Sequence, residues 1–227
     1  MSTSTALERP RRLAAGRVAG AFGVSIPLVG LAICPIWTFP STTASGESVV
    51  SFMSRHHAGL QAMMITYTVG VTLWMVFAAA VWSRMRAALP AESIVTTCFA
   101  GAITCTVTLL LAGFTAFDLL VYRLPDPAIG RLLYDLAFGL LAMSGMPTAL
   151  ALVAYAIATY RDRLFPRATG HVAVLTAAAH VLLLSSFVVQ RGFFSLQGLV
   201  IAVIPGLFFY WIGQTASSGR TRFGTGG

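Results

Sequence analysis

Only seven of the 227 residues are acidic, and three of them stand within one stretch, Asp118-Leu-Leu-Val-Tyr-Arg123-Leu-Pro-Asp126-Pro-Ala-Ile-Gly-Arg131-Leu-Leu-Tyr-Asp135. Asp118 precedes Arg123 by five residues and Asp135 follows Arg131 by four. On two helices flanking the Pro125-Asp126-Pro127 turn, each carboxylate therefore sits about 6 to 7 Å deeper than the arginine of its own helix. An acid that far inside an apolar segment is costly unless it is paired, hydrogen-bonded or protonated, which makes it a candidate for binding a polar head group or relaying a proton. Two such acids in a dry site could share one proton. The structural alternative is that Arg131 and Asp135 form an ordinary i,i+4 helix pair while Asp118 accepts hydrogen bonds that tie the hairpin together. The spacing leaves both open.

His57, with His56 before it, falls at the same end of the apolar segments as this cluster. Adjacent helical residues point about 100° apart, so the two do not make one metal site, and no H-x-x-x-H or H-x-E spacing supplies a further ligand. His171 and His180 are nine residues apart, on opposite faces of a single helix. A haem held by two histidines would need a mid-membrane partner for His180, and the sequence offers none. Cys34, Cys98 and Cys105 lie in apolar runs without a C-x-x-C pattern, and nucleophile-elbow, Walker and Rossmann signatures are missing. No metal and no cofactor are expected.

The chain carrying these residues is 57% hydrophobic and 10% charged, with a mean hydropathy of +0.81, outside the range of soluble domains. The implied partner is a lipid bilayer. The formal charge of +8 comes from arginine without any lysine, and the arginines sit at the ends of apolar runs, as topology signals do, so nucleic acid is not an expected partner. The reading is an all-α, polytopic transmembrane bundle: a basic tail at 1–13, one six-helix domain at 14–215, and a flexible tail at 216–227. The spans are expected near 14–39, 58–83, 93–121, 129–157, 170–189 and 196–215.

Four local patterns refine this plan. Gly16-x-x-x-Gly20 gives the first span a small face for close packing, within the chain or against another copy. Ser45-Gly-Glu47 ahead of Val49, Val50, Phe52 and Met53 reads as a short amphipathic helix at the interface. Thr97, Gly101, Thr104, Thr108, Ala112, Thr115 and Asp118 share one stripe of span three. They are the natural partners of the Asp135, Gly139, Ala142, Met146, Ala149 stripe in span four. Pro27, Pro147 and Pro205 mark bends. Arginines alternate by side, eleven with the termini against four opposite, which predicts both termini in the cytoplasm and Asp118, Asp135 and His57 on the outer face.

Three signatures, Leu133-Tyr-Asp135-Leu, Phe165-Pro166-Arg167-x-x-Gly170 and the Gly192-to-Gly198 turn before a span with central Pro205, resemble a family of bacterial six-helix membrane proteins without an assigned activity. The likeness runs over about residues 133–215; Ala168, Phe193, Leu196 and Gln197 depart from the family pattern. It implies a compact helical fold in a bacterial inner membrane and says nothing of a reaction. The expected function is binding or handling of a small hydrophobic or amphipathic molecule, as an accessory subunit, at an outward-facing polar pocket lined by Asp118, Asp135, Arg123, Arg131, Arg191 and His57. A membrane-protein partner or a second copy fits the same reading. The alternatives are a proton-coupled transporter and an intramembrane enzyme with an Asp/His site.

Overall fold

The computed structural model describes residues 4–218; the tail expected at 216–227 lies outside them from residue 219 on. Eight α-helices follow in order: α1 Ser4–Ile33, α2 Gly46–Arg55, α3 His57–Ala88, α4 Ile94–Arg123, α5 Pro127–Met143, α6 Gly145–Tyr160, α7 Arg167–Val181 and α8 Val200–Ser217, with 3-10 turns at Ile36–Thr38 and Leu182–Phe187. Among the described residues, six stretches are long and apolar enough to cross a membrane, Ala14–Thr38, His57–Ala88, Ile94–Arg123, Pro127–Tyr160, Arg167–Phe187 and Val200–Ser217. The expected spans stand within a few residues of these. One boundary differs: α1 is helical from Ser4, ahead of residue 14.

Each span packs on the next in the chain, α1 on α3, α3 on α4, α4 on α5 and α6, α6 on α7, α7 on α8, and α8 returns to α1. The bundle is a closed ring. Small residues set its spacing. A Cβ on Gly16 would lie 2.2 Å from Ala80 Cβ, one on Gly23 2.7 Å from Trp74, and one on Gly70 2.2 Å from Pro27 Cγ. The glycines of α1 therefore pack inside the chain, antiparallel against α3, and the Gly16-x-x-x-Gly20 face is not left for a second copy.

Pro27 has no N–H to give the carbonyl of Gly23, four residues earlier, and in a bilayer that carbonyl has no water to turn to. Trp74 Nε1 donates to it at 2.8 Å. The fourth span is broken for a similar reason. Pro147 cannot donate to the Met143 carbonyl, and the helix ends at Met143, turns at Ser144 and resumes at Gly145.

Loop 34–45 and α2 fold over one end of the ring. Ser45 caps α2 by accepting from Ser48 N at 3.2 Å, and the apolar residues Val49, Phe52 and Met53 are buried. That face packs on α5 and α4, so the amphipathic helix spends it on protein contacts. Phe39 stacks on Phe117 at 5.7 Å and meets Phe52 and Phe138 at 5.5 and 6.2 Å.

Candidate functional site

The structure separates the six residues of the expected outer pocket. Arg131 Nε donates to Asp135 Oδ2 at 2.8 Å, the anticipated i,i+4 pair. Its Nη atoms donate to the carbonyls of Ser41, Thr42 and Ala44. Gln197 Nε2 donates to Asp135 Oδ1 at 3.0 Å and Gln197 N to Thr42 Oγ1 at 3.3 Å. Tyr134, fully buried, donates its hydroxyl to Pro40 O at 2.8 Å. These groups clip loop 40–45 and the 192–198 turn to the head of α5. The charges of Arg131 and Asp135 are consumed in that fastening.

The other four residues stand apart from it. Asp118 is exposed, with no hydrogen bond or ion pair among the described residues. Arg123 lies 5.3 Å over the Tyr122 ring on the same helix. Arg191 is exposed and His57 half-buried at the start of α3. No contact joins any of them to Asp135. The whole stripe from Thr97 to Asp118 is exposed, and a Cβ on Gly101 would meet nothing within 4 Å. What α4 buries is its larger face, Phe99, Thr106, Phe114, Phe117 and Leu120, and α5 approaches it at Gly113, where an added Cβ would stand 3.0 Å from Ala137 O. The two stripes thus do not face each other: bulky side chains bury more surface than small ones, and they took the interface.

Inside the ring is a cavity of about 140 Å³ with walls from all six spans. Three helix irregularities meet there: Pro27 of α1, Ser144 at the α5–α6 break, and Pro205 within α8. Gly145 lets α7 close on the break, for a Cβ there would lie 2.5 Å from His180 O. The walls are mainly apolar and aromatic, with Trp74, Phe114, Phe208 and Phe209 prominent. Leu28 of α1 and Gly206 of α8 both line the cavity and are exposed on the bundle surface, so it reaches the surface between these two helices.

Its polar atoms are few, and most of them are acceptors. His180 is 4% exposed, and its Nδ1 contacts Thr176 O at 2.8 Å. A carbonyl only accepts, so Nδ1 carries the proton and, in the neutral ring, Nε2 keeps a lone pair without a partner among the described residues. Thr148 donates to Ser144 O at 2.7 Å, Ser144 to Leu141 O at 2.7 Å, and Thr106 lies 3.1 Å from both Thr148 Oγ1 and Ala102 O. Those hydroxyl protons are engaged, leaving oxygen lone pairs toward the cavity. Tyr67 is the one lining hydroxyl without a hydrogen bond among the described residues. The site offers acceptors, and one free donor, to whatever occupies it.

No family model, curated protein or solved structure matches this chain.

Sequence reasoning placed His180 deep in its helix and marked the prolines at 27, 147 and 205 as bends, without joining them into a site. The available signal was the recurrence of a helix-breaking residue in three spans. Among the described residues, no three His, Cys, Asp or Glu side chains are grouped to hold a metal ion.

Proposed function

We propose that this multi-pass membrane protein binds a small, largely apolar molecule carrying a hydroxyl or N–H group, inside its helical ring at the His180 cavity. The observation that supports the reading is the unpartnered Nε2 of His180 in a mainly apolar cavity with walls from every span. A cavity of about 140 Å³ is close to the engineered apolar cavities of about 150 Å³ that take up benzene, so the buried part of the ligand is a single ring or a short branched chain. Entry between Leu28 and Gly206 would bring it from the bilayer, as suits an amphipathic compound. The expected ligand class is kept and its location moves from the outer end to the interior.

The test is thermal stabilisation of the purified protein by phenol and benzyl alcohol against benzene and toluene. The hydroxylated compounds should stabilise more, His180→Phe should erase the difference, and Ala202→Phe, which fills the cavity, should abolish both responses. Equal stabilisation by alcohols and hydrocarbons in the unsubstituted protein would remove the proposed role of His180.

The broken α5–α6 span and Pro205 favour a second reading, transport of the same ligand, because discontinuous helices around a central site are a feature of transporters. Proton coupling is then read from liposome uptake with and without a pH gradient; uptake indifferent to the gradient excludes it. The eleven-to-four arginine count supports a reading with both termini in the cytoplasm, which reporter fusions at either end would check.

A further inference from the structure

We infer that the groove between α6 and α7 is a phospholipid site that seats one acyl chain of an anionic lipid and holds its phosphate at Arg161. The groove has a volume of about 610 Å³ and lies outside the ring. Its floor is alanine, Ala149, Ala156 and Ala177, all buried, and its rims are exposed Val153, Ile157 and Val174. Alanines on two packed helices bring the backbones together and leave a trough that the longer rim side chains wall. From Ala149 to Arg161 the trough runs about 18 Å along α6, enough to cover one leaflet of a hydrocarbon core about 30 Å thick.

Polarity appears at one end only. There the trough closes on Tyr160 and Arg161, and the α6–α7 connection adds Arg163 and Arg167, exposed, against a single Asp162. The Tyr160 hydroxyl and His171 Nδ1 share a hydrogen bond of 2.7 Å at the same level. Arg84 is engaged elsewhere: it donates to Leu164 O at 2.5 Å and lies 4.8 Å over the Phe165 ring, which fixes the connection. An apolar trough one leaflet long with exposed guanidinium groups at its mouth complements an acyl chain ending in a phosphate, and basic pockets between spans are a recognised way to select anionic head groups. A free anion would use the arginines and leave the trough empty. A partner helix would have no need of the charge at one end.

The experiment is lipid retention and thermal stability of the purified full chain in nanodiscs of phosphatidylglycerol or phosphatidylcholine, read by native mass spectrometry and melting temperature. Phosphatidylglycerol should be retained over phosphatidylcholine, and Arg161→Gln should weaken that preference about fivefold, one basic residue's share. Ala178→Leu, at an exposed groove position that tolerates a larger side chain, should lower retention of both lipids. Equal retention of the two by the unsubstituted protein overturns the proposal. So does reproduction of the full stabilisation by inorganic phosphate in detergent, which would make the site one for a free anion. An Ala178→Leu variant that folds and retains lipid unchanged refutes the acyl-chain seat.

Discussion

Replacing Trp74 by Phe tests whether the carbonyl freed by the proline of α1, that of Gly23, is sustained by an indole fifty-one residues away in sequence. In the unsubstituted chain the Gly23 carbonyl receives its one identified donor, Trp74 Nε1 at 2.8 Å, since residue 27 has none to give. Trp74→Phe keeps an aromatic ring against Phe208 and Phe209, its edge-on neighbours at 5.1 and 5.5 Å, but leaves a buried carbonyl unsatisfied. The expected loss is about 1–3 kcal/mol from the carbonyl, plus a packing share for the smaller ring. Pro27→Ala restores a backbone N–H at residue 27, which can close the ordinary helical bond to Gly23. In that background Trp74→Phe should cost only the packing share. The double-mutant cycle, measured by denaturant unfolding in mixed micelles, should therefore show a coupling equal to the carbonyl share, about 1–3 kcal/mol. Additivity within about 0.3 kcal/mol would refute the reasoning and assign the role of Trp74 to packing alone.

Arg131→Met should cost about 2 kcal/mol, for it removes a charged donor from three carbonyls and Asp135, and it should make loop 40–45 the first site of limited proteolysis. Asp135→Asn, which keeps one oxygen for Arg131 and turns an NH2 toward Gln197, whose amide can flip to present its unpartnered Oε1, should cost under about 1 kcal/mol; proteolysis of the two variants side by side separates them. Asp118→Asn should leave unfolding stability within about 0.5 kcal/mol, because the exposed carboxylate has no partner among the described residues. Gly145→Ala should lower stability by about 1–3 kcal/mol, since the new methyl meets the His180 carbonyl at 2.5 Å, and should weaken ligand-dependent stabilisation more than Gly101→Ala, where space is open.

The six spans were legible because hydropathy and the flanking arginines record how deep each segment sits. The Arg131–Asp135 pair was legible for the same reason the spans were: it is local, one helical turn. Its other partners, the carbonyls of Ser41, Thr42 and Ala44 and the amide of Gln197, lie far away in sequence and follow from the folding of the loops, on which periodicity is silent. Helical spacing correctly gathered Thr97 to Asp118 on one face but could not say which way that face turns. Phe99, Phe114 and Phe117 decided it. The cavity was hidden in another way: it arises where bends in three spans coincide in depth, a relation between helices that no single stretch of sequence carries.

The ring has an order of completion built into it. As the chain is made from its N-terminus, α1 and α3 can pair early through their glycines, and each later span finds the previous one waiting. The seam is α8 against α1, where a Cβ on Gly20 would stand 3.0 Å from Ala216 Cβ. Until that last helix arrives, the cavity lacks the wall formed by Ile201, Pro205 and Phe208, and the inner faces of α1 and α7 stay open to lipid. The interior site is thus a product of finished synthesis, and chains stopped before residue 200 would be membrane-inserted without it.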